Sequence, residues 1–303
     1  MKLALSALAA AALAASSFAA SAAGPAGYVL TRDHQAALQV APAASKKIEY
    51  QNGPVMTDPN GVNVYVIWYG DWSNNTATTI VPDFFNHLGG SAWYNINSTY
   101  YDAANQHIAN KVTLKKQTVD NYSHGSSLKN SAVADVVKTA LANHSLPVDQ
   151  NGVYFVLTSK DVKQGVSIDS FCTLYCGWHD TGSGTAAGKP VTIRYAFVGD
   201  AARCLSSCAA QSTSPNDNPG ADGMISVIAH ELSEAVTDPD TSSGWRFYST
   251  DGNENADECA WTFGTEYTAP NGSMANVHLG TRDYLIQQNW VRGIPTEACA
   301  VGF

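Results

Sequence analysis

Three short runs of β-branched and aromatic residues do most to limit the folds open to this chain. They lie at 62–69 (VNVYVIWY), 153–157 (VYFVL) and 191–198 (VTIRYAFV). Apolar runs of this length are typical of strands that are buried on both faces of a sheet. A fourth segment, 111–115, alternates polar and apolar residues, which predicts a strand with one solvated face.

Segments with helical periodicity lie between and after these strands. From Leu128 to Leu146, apolar residues recur at i, i+3, i+4, i+7 and i+8, which predicts an amphipathic helix. Ile80, Phe84 and Leu88 share one face of a shorter helix, and 222–236 predicts another. Strands that alternate with helices predict an α/β fold, here a single domain with helices packed on a mixed twisted sheet.

The amino terminus has the features of an export signal. Lys2 precedes an apolar run from Leu3 to Ala15, and Ala20-Ser21-Ala22 matches an A-x-A cleavage site. We therefore predict a signal peptide over residues 1–22 and a secreted, extracellular protein. The apolar run is shorter than the roughly 20 residues that span a bilayer, so we expect no membrane anchor.

The chain after the signal divides into two parts. Residues 23–50 show no sustained period and predict a linker, a short pro-segment or an N-terminal strap, whereas 51–303 predicts the folded domain. Lys and Arg number 17 against 26 Asp and Glu, a formal net charge of −9. This acidic balance argues against a nucleic-acid partner, which needs clustered basic residues. The sequence does not indicate an oligomeric state.

The six cysteines all lie in the second half of the chain. An even number in an exported chain favours disulfides. Two Gly-, Ser- and Cys-rich segments, 163–189 and 199–220, predict long loops pinned by these bonds. A thiolate zinc site is the alternative, but its usual spacing is C-x2-C. The pairing that we predict joins cysteines close in sequence or late in the chain: Cys172–Cys176, Cys204–Cys208 and Cys259–Cys299.

The predicted helix 222–236 carries the strongest chemical motif. His230 and Glu234 are four residues apart and share one face, and Glu231 lies beside them. The H-E-x-x-H motif of zincins uses this geometry for two zinc ligands and a general base. Here Glu234 takes the place of the second histidine, and a carboxylate can also ligate zinc. The motif therefore predicts a zinc site held by His230 and Glu234, with Glu231 as the catalytic base.

A catalytic zinc needs a third protein ligand. Asp240 lies ten residues after His230, as in longer zincin motifs, but its turn lacks the glycine of that motif. We prefer Glu254 or Asp257, because a disulfide at Cys259 would anchor the loop that carries them. His179 is a further candidate, as a ligand or an electrophile.

Several short sequence blocks occur together in this chain. They are YQNGPVM at 50–56, VYVIWYGDW at 64–72, FCTLYCGWH at 171–179, Asp222-Gly223-Met224, and the late Cys259 and Cys299. With these blocks the chain resembles the EXORDIUM, or phosphate-induced protein 1, family over about residues 50–303, and it looks like a microbial-type member with an H-E-x-x-E helix. The resemblance implies a secreted protein, since plant members are extracellular or cell-wall proteins without a settled biochemical activity.

Two hypotheses of function follow, and the sequence leaves open whether the chain is an enzyme. The first is a secreted, zincin-like, zinc-dependent hydrolase that acts on a peptide or cell-wall substrate, with peptide the preferred class. The second is a non-catalytic secreted protein that binds the cell wall or a partner, in which any metal is structural.

Overall fold

A six-stranded twisted sheet forms the centre of the computed structural model, which describes residues 27–38, 47–186, 189–247, 253–293 and 297–303. The predicted signal peptide at 1–22 lies outside these residues. The sheet has the order β1-β9-β10-β6-β3-β4. Its strands are β1 (Tyr28–Leu30), β3 (Val62–Tyr69), β4 (Val112–Asp120), β6 (Gly152–Thr158), β9 (Tyr175–Ala186) and β10 (Lys189–Gly199).

The remaining elements surround this sheet. The helices are α1 (Arg32–Leu38), α2 (Ala77–Leu88), α3 (Ala92–Asn95), α4 (Asn130–Ala142), α5 (Leu205–Cys208) and α6 (Pro219–Thr237), with 3₁₀ turns at Ile96–Thr99, Ala201–Arg203 and Asp257–Cys259. The small strands are β2 (Ile48–Tyr50), β5 (Ser127–Leu128), β7 (Lys163–Val166), β8 (Asp169–Ser170), β11 (Trp245–Phe247), β12 (Tyr267–Thr268), β13 (Met274–Ala275), β14 (Val277–Leu279), β15 (Arg282–Tyr284), β16 (Asn289–Val291) and β17 (Ala298–Ala300).

Strand direction follows the apolar pattern of the sequence. The strands β10, β6, β3 and β4 run parallel, and every residue of β6 is buried. The edge strand β4 is half-exposed and carries Lys115 and Lys116, charges that protect an edge from pairing with other chains. At the other side, β9 runs antiparallel to β10, and β1 runs antiparallel to β9. The α/β prediction and its four predicted strands are confirmed.

The predicted helices are present and bury the expected faces. The five apolar stripe residues of α4, from Val133 to Leu141, are all buried. Helix α6 begins with Pro219 at its first position, and the Asn218 side chain accepts a hydrogen bond from the backbone N–H of Ala221. It packs against β9, β10 and α2, so every residue from Gly220 to Thr237 is buried. No helix within the described residues is long and apolar enough to cross a lipid bilayer.

The prediction of a long loop at 163–189 is wrong. This segment contains β7, β8, the whole of β9 and the first residue of β10. The sequence of β9, YCGWHDTGSGTA, has low strand propensity, but the strand pairs with β10 from Gly177 to Ala186. Tertiary pairing therefore overrides local preference here. The segment 199–220 stays mostly irregular, with α5 and one 3₁₀ turn.

Two of the three predicted disulfide pairings are also wrong. The bonds join Cys172 to Cys204 and Cys176 to Cys208, so they link the two segments instead of closing a loop within each. Cys172 lies in the turn before β9 and Cys204 lies just before α5, whereas Cys176 and Cys208 are buried within β9 and α5, so the two bonds hold α5 against the start of β9. The Cys259–Cys299 bond is present as predicted.

Residues that the sequence assigns to a linker, pro-segment or strap form three elements. The strand β1 adds to the main sheet beside β9, α1 follows it, and β2 pairs with β11. We call residues 27–38 the N-terminal strap.

Candidate metal centre

The carboxyl-terminal half of α6 brings three ionisable side chains into the interior. The helical spacing places His230 and Glu234 on one face, and Glu231 points towards β9. Each of these three residues is at most 1% exposed to solvent. Nε2 of His230 lies 2.8 Å from Oε1 of Glu234.

The 3₁₀ turn after residue 253 brings two more carboxylates to the helix. Oδ1 of Asp257 lies 3.4 Å from Nε2 of His230, and the Asp257 backbone N–H donates to Oε1 of Glu234 at 3.1 Å. The Glu254 backbone N–H in turn donates to Oδ2 of Asp257 at 3.1 Å. The Cys259–Cys299 disulfide follows directly and ties this turn to β17. We call residues 254–261 the Asp257 loop.

His179 reaches the same place from β9. Its Nδ1 lies 3.2 Å from Oε2 of Glu231 and 3.5 Å from Oε2 of Glu234. Its Nε2 lies 3.6 Å from Oε2 of Glu254. A strand, and not a disulfide-tied loop, therefore carries this histidine to the site.

These side chains form two groups of three that share Glu234. One group is His230, Glu234 and Asp257, and the other is His179, Glu234 and Glu254. The ligand atoms within each group lie within 4.8 Å of one another. Around a tetrahedral zinc, with ligands at about 2.0–2.2 Å, the donor atoms lie roughly 3.3–3.6 Å apart. In the first group, Nε2 of His230 lies 2.8 Å from Glu234 and 3.4 Å from Asp257, which is near this spacing. In the second group, His179 contacts Glu234 and Glu254 through different ring nitrogens.

The site contains many buried polar atoms without a hydrogen-bond partner. Neither ring nitrogen of His230 makes a hydrogen bond, although Nε2 lies 2.8 Å from Oε1 of Glu234. Both carboxylate oxygens of Glu254, one of Glu234 and one of Glu231 also lack a hydrogen bond. Buried polar groups in native proteins are nearly always hydrogen-bonded, or they coordinate a metal. This concentration of unpaired lone pairs fits a cation held between the side chains.

The histidines respond to the surrounding negative charge. Burial alone would lower the pKa of His179, but Glu254, Glu231 and Glu234 raise it well above its usual value. Burial opposes protonation of His230 in the same way, and Glu234 and Asp257 raise its pKa. These carboxylates therefore favour a positive charge at both imidazoles, and protonation would compete with a bound metal ion.

The carboxyl groups respond unequally to burial. Burial raises the pKa of Glu231 to about 7, against the opposing effect of its contact with His179. Burial also raises the pKa of Glu254 well above its usual value and raises that of Asp257. For Glu234, the nearby histidines outweigh burial and lower the pKa. Carboxyl groups with pKa values pushed apart are typical of functional sites.

Two charged residues near the site, Asp238 at the end of α6 and Arg246 in β11, were not identified from the sequence. Nη1 of Arg246 lies 3.2 Å from Oδ2 of Asp238 and 3.5 Å from Oε1 of Glu254, and it donates to the carbonyl of Thr241. Asp238 also accepts a hydrogen bond from the Gly244 backbone N–H at 2.7 Å. A lone arginine between two aromatic residues, as in the Trp-Arg-Phe of β11, was the available signal.

The three candidates for the third metal ligand differ in which side chains they lie beside. Asp257 lies beside His230 and Glu234, and Glu254 lies beside His179 and Glu234. Asp240 belongs to neither group among the described residues.

Comparison with known proteins identifies the family. The region described as "Phosphate-induced protein 1 conserved region" matches residues 48–284, well over half of the chain. The chain belongs to the phosphate-induced protein 1 family. The matched region of the family contains every side chain of the candidate metal centre and begins after the N-terminal strap.

Named relatives within the family come from plants. The chain is 33% identical over 282 residues to Protein EXORDIUM-like 3 of Arabidopsis thaliana, and the match covers 80% of each chain. It is 33% identical over 217 residues to Protein EXORDIUM-like 5 of the same species, covering 63% of this chain and 58% of that relative. Protein PHOSPHATE-INDUCED 1 of Nicotiana tabacum is 29% identical over 217 residues, covering 63% of this chain and 65% of the relative. No solved structure matches the chain.

Proposed function

We propose that this protein is a secreted, zinc-dependent hydrolase of the peptidase type, in which His230, Glu234 and Asp257 hold the metal. The observation that carries the proposal is His230. Its ring is buried, neither nitrogen makes a hydrogen bond, and Nε2 faces carboxylate oxygens of the other two residues at 2.8 and 3.4 Å. An imidazole with two carboxylates suits zinc better than calcium or magnesium, which prefer oxygen ligands alone.

A bound zinc ion would lower the pKa of a coordinated water and polarise the bond to be hydrolysed. Glu231 is the general base in this proposal. A base works best when its pKa is near the working pH, and burial raises the pKa of Glu231 to about 7. The carboxylate would accept a proton from the attacking water and later deliver it to the leaving group.

His179 and Glu254 support this base from the opposite side. Nδ1 of His179 lies 3.2 Å from Oε2 of Glu231, which fixes the orientation of the carboxylate. Arg246 contacts Glu254 and Asp238, so its charge partly offsets the surplus of carboxylates in the site. We assign His179 as a positioning residue for Glu231.

The order of elements supports a zincin-like arrangement. Zincins lay an active-site helix under a twisted sheet, after the strands of that sheet. In this chain α6 follows the last strand of the main sheet and packs against β9 and β10. This is an analogy of fold, and the chemistry is argued from the site itself.

Secretion is part of the proposal. The amino-terminal pattern of a positive residue, an apolar run and A-x-A supports export. Three disulfides join all six cysteines, and such bonds persist in oxidising compartments outside the cytosol.

The test is the metal content of the purified, signal-free protein and its variants. We expect one zinc per chain in the parent and its loss in His230→Ala and Glu234→Ala. Glu231→Gln should keep the zinc and lose hydrolysis of a peptide library, because it removes the base but no metal ligand. His124→Ala, at an exposed histidine, is the matched control and should keep both.

Two outcomes would overturn parts of this proposal. A parent protein that binds no zinc when zinc is offered would refute the metal site and favour a non-catalytic protein that binds the cell wall or a partner. Zinc binding without hydrolysis of any peptide would refute the peptidase assignment and make the metal structural.

A further inference from the structure

The N-terminal strap lies along the open edge of β9, next to the candidate metal centre. Tyr28 pairs with Trp178 and Val29 with Gly177, in antiparallel register. The next pair in this register brings the carbonyl of Gly27 to within 3.4 Å of the backbone nitrogen of His179. The strap therefore occupies the edge of the strand that carries a site residue.

The other side of the strap contacts the Asp257 loop. The indole N–H of Trp261 donates to the Leu30 carbonyl at 2.8 Å, and the Gln35 side chain donates to the Asp257 carbonyl at 3.4 Å. The strap thus fills the space between β9 and this loop. We call that space the strap channel.

The backbone of Gly27 forms part of the wall of the site. A Cβ at this position would lie 2.6 Å from Cε1 of His179 and 3.1 Å from Oε2 of Glu254. The φ angle of Gly27 is +69°, a conformation that favours glycine. Glycine is therefore favoured at position 27 both by the close contacts with His179 and Glu254 and by the backbone conformation.

The contacts of the strap are those of a bound peptide. They consist of backbone pairing, hydrogen bonds to its carbonyls and the buried side chains of Val29, Thr31 and Gln35. Tyr28 and Leu30 are half-buried, and Arg32 and Asp33 of α1 are exposed. Strand addition to a sheet edge, with pockets for alternate side chains, is a common mode of peptide recognition.

We propose that the strap channel is a binding site for an extended polypeptide, and that the strap occupies it as an internal substitute. The ligand class is a peptide that adds as a strand antiparallel to β9. It would place a glycine against His179 and a buried aliphatic residue where Val29 now lies. A peptide bound in this way would lie beside Glu231 and the metal ligands. Its role as a substrate therefore rests on the hydrolase proposed above.

The experiment uses a fluorescent peptide with the sequence of residues 27–38 and the full signal-free chain. Gly27→Leu should displace the strap, because any side chain there collides with His179. Binding of the probe, measured by fluorescence anisotropy, should be at least tenfold tighter for this variant than for the parent. Ala37→Leu adds the same side chain at an exposed strap position and should match the parent.

A second variant guards against misfolding of the first. Thr31→Pro removes the hydrogen bond from the Thr31 N–H to the Leu174 carbonyl without adding bulk at the metal centre. Both variants should show faster hydrogen exchange along β9, at the amides of Gly177 and His179. The proposal is overturned if β9 becomes accessible in either folded variant and the probe still does not bind. It is equally overturned if β9 stays as protected as in the parent in both variants.

The same measurements separate this proposal from that of the hydrolase. Strand addition depends on backbone hydrogen bonds, so the probe should bind equally with zinc and with chelator. Probe binding by a protein that takes up no zinc would refute the hydrolase and leave the peptide site standing. If the protein hydrolyses peptides with zinc, but release of the strap does not change probe binding, the peptide site is refuted and the hydrolase stands.

Discussion

Replacing Glu231 with glutamine should change the pH dependence of stability in the metal-free protein. Glu231 is buried, with one carboxylate oxygen near His179 and the other without a hydrogen bond. Its pKa is about 7 in the folded protein, against 4.5 for an ordinary glutamate. Glutamine has nearly the same shape as the protonated acid but cannot ionise, so the substitution removes this single titration.

The sign and size of the effect follow from the raised pKa. The folded state binds the proton of Glu231 more tightly than the unfolded state, so the stability that Glu231 contributes is fully present below pH 4.5 and is lost as the pH rises towards 7. Each pKa difference of one corresponds to about 1.4 kcal/mol. Between about pH 4.5 and 6.5, the parent should therefore lose about 2 to 3 kcal/mol more than Glu231→Gln.

This pH window avoids the contribution of the histidines. The pKa values of His179 and His230 are raised, so the stability that they contribute is present below pH 6.5 and is lost only as the pH rises through their folded values. Urea unfolding at several pH values, with chelator present, measures the difference. Glu266→Gln, at an exposed carboxylate, is the matched control and should behave as the parent does. Equal slopes for the parent and Glu231→Gln would refute the raised pKa.

Three further predictions test the site, its anchor and the core. Zinc at 100 times its Kd should raise the free energy of unfolding by about 2.7 kcal/mol in thermal melts, and Glu234→Ala should abolish this gain; an unchanged melt in the parent would count against the metal site. Replacing both Cys259 and Cys299 with alanine should lower stability by about 4 kcal/mol for a loop closed over 40 positions, and zinc should bind more weakly because the Asp257 loop loses its anchor; equal zinc affinity would show that the disulfide does not hold the loop. Phe155→Ala should lower stability by about 3 to 5 kcal/mol in urea unfolding, because this side chain is fully buried. Val119→Ala, at a residue 69% exposed, is its control and should change stability by less than about 0.5 kcal/mol.

The sequence alone was sufficient to predict the strands and helices whose own apolar pattern shows which faces are buried. The runs that became β3, β6 and β10 are apolar along their length, and the stripe of α4 repeats with helical period. In each of these elements, burial imposes a spacing of apolar residues that can be recognised without knowing which element packs against it. The strand β9 has no such pattern, because its pairing with β10 compensates for its glycines and polar residues.

The residues of the candidate site also divide into those that local sequence could predict and those that it could not. His230, Glu231 and Glu234 could be placed together because four residues make about one helical turn. Asp257 and Glu254 were candidates only because of a neighbouring cysteine, and nothing local could choose between them. Arg246 and Gly27 were missed because their roles come from residues distant in the chain. Two of the three predicted disulfide pairings were wrong for the same reason.

The pairing of β1 with β9 also has a consequence for the order of assembly. Tyr28 meets Trp178, a partner about 150 positions later in the chain, so the strap must wait for β9 to be synthesised before it can dock. Closing so long a loop is entropically unfavourable until the partner strand exists. We therefore expect β9, α6 and the Asp257 loop to assemble first, with the amino-terminal segment docking last. In the proposed metalloenzyme, an ion would reach its ligands from solvent during this interval, before the strap covers them.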